Sequence, residues 1–314
     1  MKKCKIRIFS ILTVLLILCS CNFYSLNNIC LDYFCAYKHT ATICEDDNYI
    51  FFAKEDGIYK KTKHSGIQKI IYKIESPNNL ILFNNNLFFT SVDLKKIYKA
   101  EIDGSELCTV FDVENLSSEY QNILIKDYFL YNEKIYISSP ALSLSCDFDG
   151  KTINIINGNC GTSSMEVEKS GLYYIGHSDR KFSIYKCDFD AKNDELFLGN
   201  GISKPTEQLY YDFVISNTAF FCAKRLPEKG LFCFDGHFEK KIFDGEIFNL
   251  TEKNGKVYFI SFKETKTILF SADEAGCKEL VEIEDYNKNT GFCIVNGTVY
   301  FSSSDSLVKS INIE

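Results

Sequence analysis

The 314-residue chain has no tryptophan, only four prolines and only four histidines. Without tryptophan it lacks a side chain well suited to stacking on sugar rings, and it also lacks a Ser-x-Asp-x-Gly box. Both absences argue against a glycan-processing enzyme. His39, His64, His177 and His237 are scattered, and no two share a loop, so no nucleophile–base pair is suggested. No G-x-S-x-G, H-E-x-x-H or Walker motif occurs. The fourteen cysteines include no C-x-x-C pair, and their spacing does not suit a zinc cluster. Asp188-Phe189-Asp190 followed by Asn193-Asp194-Glu195 resembles half a calcium loop. It lacks the central glycine and the acidic end, so a turn is the better reading. No cofactor and no metal are expected. No long segment sustains i, i+3, i+4, i+7 apolar spacing, which excludes helix for the bulk of the chain.

What is abundant points to strands: 46% of residues are hydrophobic, with 27 Phe and 19 Tyr. The N-terminus is a targeting segment. Lys2, Lys3, Lys5 and Arg7 precede an apolar run, Ile8 to Leu18, too short to span a bilayer comfortably. It ends Leu18-Cys19-Ser20-Cys21, which resembles a bacterial lipoprotein signal. The resemblance implies a signal peptide over 1–20, lipid on Cys21 and a short stalk over 21–28. A single domain over 29–314 would then sit outside the cytoplasmic membrane, tethered to its outer face in the cell envelope. Removing residues 1–20 takes away four positive charges and no negative ones, so the net charge moves from −7 to −7 − 4 = −11. With that balance and no basic stripe, nucleic acid is not an expected partner. Eleven cysteines would remain besides Cys21, most in apolar runs where a free thiol acts as a small hydrophobe. Cys30, Cys35 and Cys44 are the best candidates for a disulfide.

A repeat organises the rest. Asn84 to Gly104 reads as an asparagine turn, an apolar run Leu87-Phe88-Phe89, a polar loop, Ile97-Tyr98-Lys99, and an Asp103-Gly104 turn. The same order recurs around Phe51, Tyr136, Tyr174, Phe220, Tyr258 and Tyr300. Counting Phe88, the seven central aromatics lie 37, 48, 38, 46, 38 and 42 residues apart. A period near forty with four short strands per unit predicts an all-β, seven-bladed β-propeller, a six-bladed ring being the alternative. Strands A to D of each unit are joined by an Asn/Gly turn, a B–C loop and a C–D turn, and a D-to-A crossover leads to the next unit. The B strands are apolar at consecutive positions, as expected where both faces of a blade pack on neighbours. The last unit stops after strand C. The run Ile29 to Tyr37 is expected to supply its outer strand beside Ser310-Ile311 and so close the ring.

Leu87-Phe88-Phe89-Thr90 with Lys96 to Ser105 (KIYKAEIDGS) resembles the YWTD repeat of low-density-lipoprotein-receptor-class propellers and of bacterial propellers of unknown function. Phe89 stands where that repeat has Trp, Ser91 stands where it has Asp, and that receptor class has six blades. The resemblance implies a fold and no ligand, because the repeated residues are structural.

In a propeller the B–C loops and crossovers open on one face, and the A–B and C–D turns on the other. The long spacings place extra residues in the crossovers Asp112–Asn122 and Gly199–Tyr211, with a third elaborated crossover at Asn157–Ser164. Candidate rim residues on that face are His177, Asp179 and Arg180 in one B–C loop, Lys224 and Arg225 in the next, and Tyr210 and Tyr211 in the crossover between them. Mixed charge with aromatics is the composition of interface anchors. The expected function is a non-catalytic module or scaffold that binds a protein or peptide of the envelope. The alternative is an extracytoplasmic hydrolase or lyase whose site gathers at the propeller centre from several blades.

Overall fold

The A–B links close tightly because asparagine tolerates left-handed backbone. Asn84-Asn85, Asn132-Glu133, Asn254-Gly255 and Asn296-Gly297 each hold two successive residues at positive φ, as a type I′ hairpin requires. Glu133 (φ 60) is the least suited of these residues. Glu133→Gly should raise stability by about 0.5–1 kcal/mol, read as a higher urea midpoint; an unchanged or lower midpoint would contradict the turn assignment.

A computed structural model describes residues 42–313, apart from 64, 140–141, 158–161, 169, 179–180, 191–192, 199–209, 218, 226–227, 287–290 and 304–307. The described chain forms seven antiparallel sheets. Six have four strands in sequential order, and the seventh has three among the described residues. The A strands are Ile43–Glu45, Asn78–Phe83, Asp127–Tyr131, Thr162–Glu168, Tyr210–Ser216, Phe248–Lys253 and Phe292–Val295. Neighbouring A strands touch from blade one to blade six, and that of blade seven returns to blade one. The fold is therefore an all-β seven-bladed propeller, and the only helix among the described residues is a single 3-10 turn, Val113–Asn115. Cys21, the signal segment and the expected closing run Ile29 to Tyr37 lie outside the described residues.

The core is divided rather than central: seven apolar clusters fill the seven interfaces between blades. This explains the consecutive aromatics of the B strands. Phe51 faces blade two while Phe52 faces blade seven. Phe88 packs toward blade three and Phe89 toward blade one. Aromatic pairs also couple blades directly, as where Phe189 stacks on Tyr131 at 4.9 Å.

A second periodic device accompanies these contacts. In blades one to six the ladder between strands C and D slips once, near the beginning of C or midway along it, at Ile58/Tyr59, Ile97/Tyr98, Ser143/Leu144, Ile184/Tyr185, Leu231/Phe232 and Leu269/Phe270. Such bulges increase local twist, which a blade must have to wrap radially around the axis.

Candidate functional site

The expected rim separates into enclosed, half-enclosed and undescribed residues. Asp179 and Arg180 lie outside the described residues. His177 is in strand B of blade four, Gly171–Ser178, with its backbone opposite Phe182. Tyr210 and Lys224 are opposite each other in the ladder of blade five, and both are enclosed, at 2% and 3% exposure. This placement takes them off the surface and into the blade. The Lys224 ammonium lies over the rings of Tyr210 (4.7 Å) and Phe232 (4.3 Å) and pairs with the Glu239 carboxylate. The Tyr210 hydroxyl donates to Glu239 Oε1 at 3.0 Å. Burial raises its pKa far above the ordinary tyrosine range, followed by the nearby Glu239 charge. Tyr211 is half-buried, and its hydroxyl donates to the Ile247 carbonyl and accepts from the Ile247 N–H, each at 3.0 Å. Half-buried Arg225 lies over the Tyr211 ring at 5.1 Å.

The Asp112–Asn122 crossover lies mostly at the surface, with Val113 tucked inward. In the segment leading from blade two to blade three, Val113, Ile123 and Ile125 are all buried in the interface. Most of the Gly199–Tyr211 crossover lies outside the described residues, as does much of Asn157–Ser164. In the B–C loop of blade two, Ser91 caps the turn. Its hydroxyl accepts the N–H of Lys95 (3.2 Å) and of Lys96 (3.0 Å) and donates to Asp93. Serine here does by hydrogen bonding what a short acidic side chain does in a loop of this kind.

Carboxylates gather on the inner strands of blades three to six. Glu166 is half-buried, and desolvation raises its pKa well above the usual range, helped by Asp212, Asp127, Glu168 and Glu252. Asp212, 3% exposed, accepts from the Ser164 hydroxyl at 3.2 Å and from the Phe213 N–H at 2.9 Å. No group of three or more His, Cys, Asp or Glu able to hold a metal occurs among the described residues.

A wide opening lies on the face of A–B and C–D turns, opposite the face singled out by the long crossovers. This cleft, of about 870 Å³, spans blades six, seven and one. Blade one contributes Glu45, Asp46, Asp47 and Lys63, and blade six Lys253, Lys256 and Lys278. Tyr258, Leu280, Ile294 and Ile313 make its apolar floor, and Asn296-Gly297 forms a corner. Four lysines thus meet in a chain whose net charge is −7. The residues come from turns far apart in sequence, so no linear signal marked them.

The buried thiols are poor nucleophiles. Eight described cysteines are free, and Cys146, Cys187, Cys222 and Cys233 are buried. Burial pushes Cys146 and Cys187 up to about 12 and Cys233 to about 11, so the thiolate is scarce at neutral pH. Of the three disulfide candidates, Cys44 is a free thiol, and Cys30 and Cys35 lie outside the described residues. The half-calcium-loop segment is a C–D turn in which Asn193 Nδ2 donates to Asp188 Oδ2 at 2.8 Å. His237 sits exposed in another C–D turn.

No protein-family profile and no curated protein matches the chain. Many solved structures resemble it in fold. A chain of a nidogen–laminin complex aligns with TM-score 0.51 at 14% identity, covering 75% of this chain and 93% of that one. A chain of a mitotic checkpoint complex aligns with TM-score 0.63 at 8% identity, covering 88% and 91%. A puromycin-hydrolysing peptidase of Mycobacterium tuberculosis aligns with TM-score 0.61 at 8% identity, and this chain spans 54% of it. At such identities the likeness establishes the propeller fold and nothing finer.

Proposed function

We propose that the protein is a non-catalytic binding module for a protein or peptide of the cell envelope, anchored by lipid on Cys21, and that the cleft across blades six, seven and one is its site. The cleft is the observation that carries this reading. It is a wide polar trough on a rigid ring, with an apolar floor and charged walls, the composition of a recognition site. The fold is shared with chains of a nidogen–laminin complex and of a mitotic checkpoint complex, which is consistent with a protein partner. The rim of His177, Asp179, Arg180, Tyr211 and Arg225 is the competing location.

One observation favours the enzyme alternative. A carboxyl raised by desolvation and set near other acidic side chains, as at Glu166, is an arrangement that can serve a general acid. The peptidase neighbour shares the fold but extends well beyond it, and the buried thiols give no nucleophile.

The test places a photo-crosslinking residue at Lys256, Arg225 or Glu166 in the full-length chain inside intact cells. A polypeptide adduct from position 256 alone is the expected result. An adduct only from 225 would move the site to the rim, and adducts from none would overturn the binding reading. In the same cells Cys21→Ser should release the protein from the membrane; a variant that stays bound would contradict the anchor.

A further inference from the structure

We propose that the cleft takes an acidic, extended polypeptide segment whose carboxylates meet Lys256 and Lys278; this rests on the binding reading above. The argument is an accounting of charge. The Glu45 carboxylate is already engaged by two ammonium groups, Lys63 at 2.7 Å and Lys253 at 3.3 Å. Asp46 Oδ1 is occupied by its own turn, accepting the N–H of Asn48 and of Tyr49, each at 2.7 Å. Lys256 and Lys278 are exposed, and their ammonium groups make no ion pair or hydrogen bond among the described residues. Lys256 also stands directly opposite Lys253 in the hairpin, and like charges so placed repel. A carboxylate entering the cleft would relieve that repulsion and pair with both unengaged cations.

The shape favours a chain over other anions. The floor formed by Tyr258, Leu280, Ile294 and Ile313 offers apolar contact along the trough, which a peptide's side-chain stems can use and an inorganic anion cannot. A flat anionic bilayer fits poorly, because the cleft is concave.

The experiment is fluorescence anisotropy of labelled decaglutamate with the full chain. Binding is expected, and it should weaken as salt rises. Lys256→Glu with Lys278→Glu should weaken it roughly tenfold or more, and the pair Lys256→Met and Lys278→Met less. All variants should keep the wild-type urea midpoint, since both side chains are exposed. Decalysine and anionic phospholipid vesicles should not bind, and inorganic phosphate should not displace the peptide at equal charge. The inference is overturned by absent decaglutamate binding, by binding indifferent to both double variants, by displacement with phosphate, or by vesicle binding that depends on the two lysines. If decaglutamate fails while position 256 still crosslinks a polypeptide in cells, only the acidic chemistry falls. If both fail, the binding reading falls with it.

Discussion

Replacing Lys224 with methionine is expected to destabilise the propeller by about 3–5 kcal/mol, read as a large drop in the urea unfolding midpoint. The Lys224 and Glu239 side chains are 3% and 15% exposed. Without the ammonium, the Glu239 carboxylate and the Tyr210 hydroxyl that donates to it remain in a poorly solvated pocket. The rings of Tyr210 and Phe232 also lose the cation they face. Breaking one partner of a buried pair costs more than removing both, because a lone charge is left uncompensated. Adding Glu239→Gln to Lys224→Met should therefore restore most of the loss, since glutamine still accepts the Tyr210 hydroxyl. Lys151→Met is the contrast. Lys151 and Asp149 form an ion pair of 2.7 Å, but they are 82% and 51% exposed, so its loss should scarcely move the midpoint. An equal effect of Lys151→Met and Lys224→Met, or no rescue by the double change, would contradict the role given to the buried pair.

The second large effect is expected from glycine at the beginning of a C strand. Gly57 and Gly230 have φ of 152° and 151°, and a Cβ there would lie 2.1 Å from the Tyr72 carbonyl oxygen and 2.2 Å from the Phe243 carbonyl oxygen. Both sites adjoin the slip in the C–D ladder, which bends strand D over the glycine. Those acceptors are backbone atoms within a packed blade and cannot swing aside. Gly57→Ala and Gly230→Ala should each cost about 3 kcal/mol or more. At Gly66, where a Cβ would meet nothing within 4 Å, alanine should cost only the left-handed backbone strain, about 1 kcal/mol. The comparison is made on urea midpoints, and similar losses at all three positions would contradict the steric account.

These two cases show where the sequence was readable. The ring was legible because each blade repeats one packing requirement: two adjacent B-strand side chains, such as Phe51-Phe52 or Phe88-Phe89, serve opposite interfaces. The tight A–B turns were legible because left-handed pairs draw Asn and Gly. The ladder slips were not, because a bulge is set by backbone pairing, and residues as different as Ile58, Ser143 and Leu231 adjoin it. The rim expectation went astray at Tyr210 and Lys224 for a similar reason. A lysine and a tyrosine at strand ends look like loop residues until the ladder places them face to face over Glu239. The blade two to blade three crossover was legible as an open loop over Asp112–Asn122, while the burial of Val113 within it and of Ile123 and Ile125 just after it shows only in the packed interface. The cleft lysines were invisible because turns of blades one and six become neighbours only when the ring closes.

Hydrogen exchange of the full chain with and without decaglutamate tests the central claim most directly. Protection is predicted in the turns around Lys253–Lys256 and Asn296-Gly297 and in the strand containing Lys278. The inner strands bearing Glu166 and Asp212, and the segment around Tyr211 and Arg225, should exchange as before. Protection confined to those inner strands or to that rim, with the turns of blades six and seven unchanged, would contradict the account.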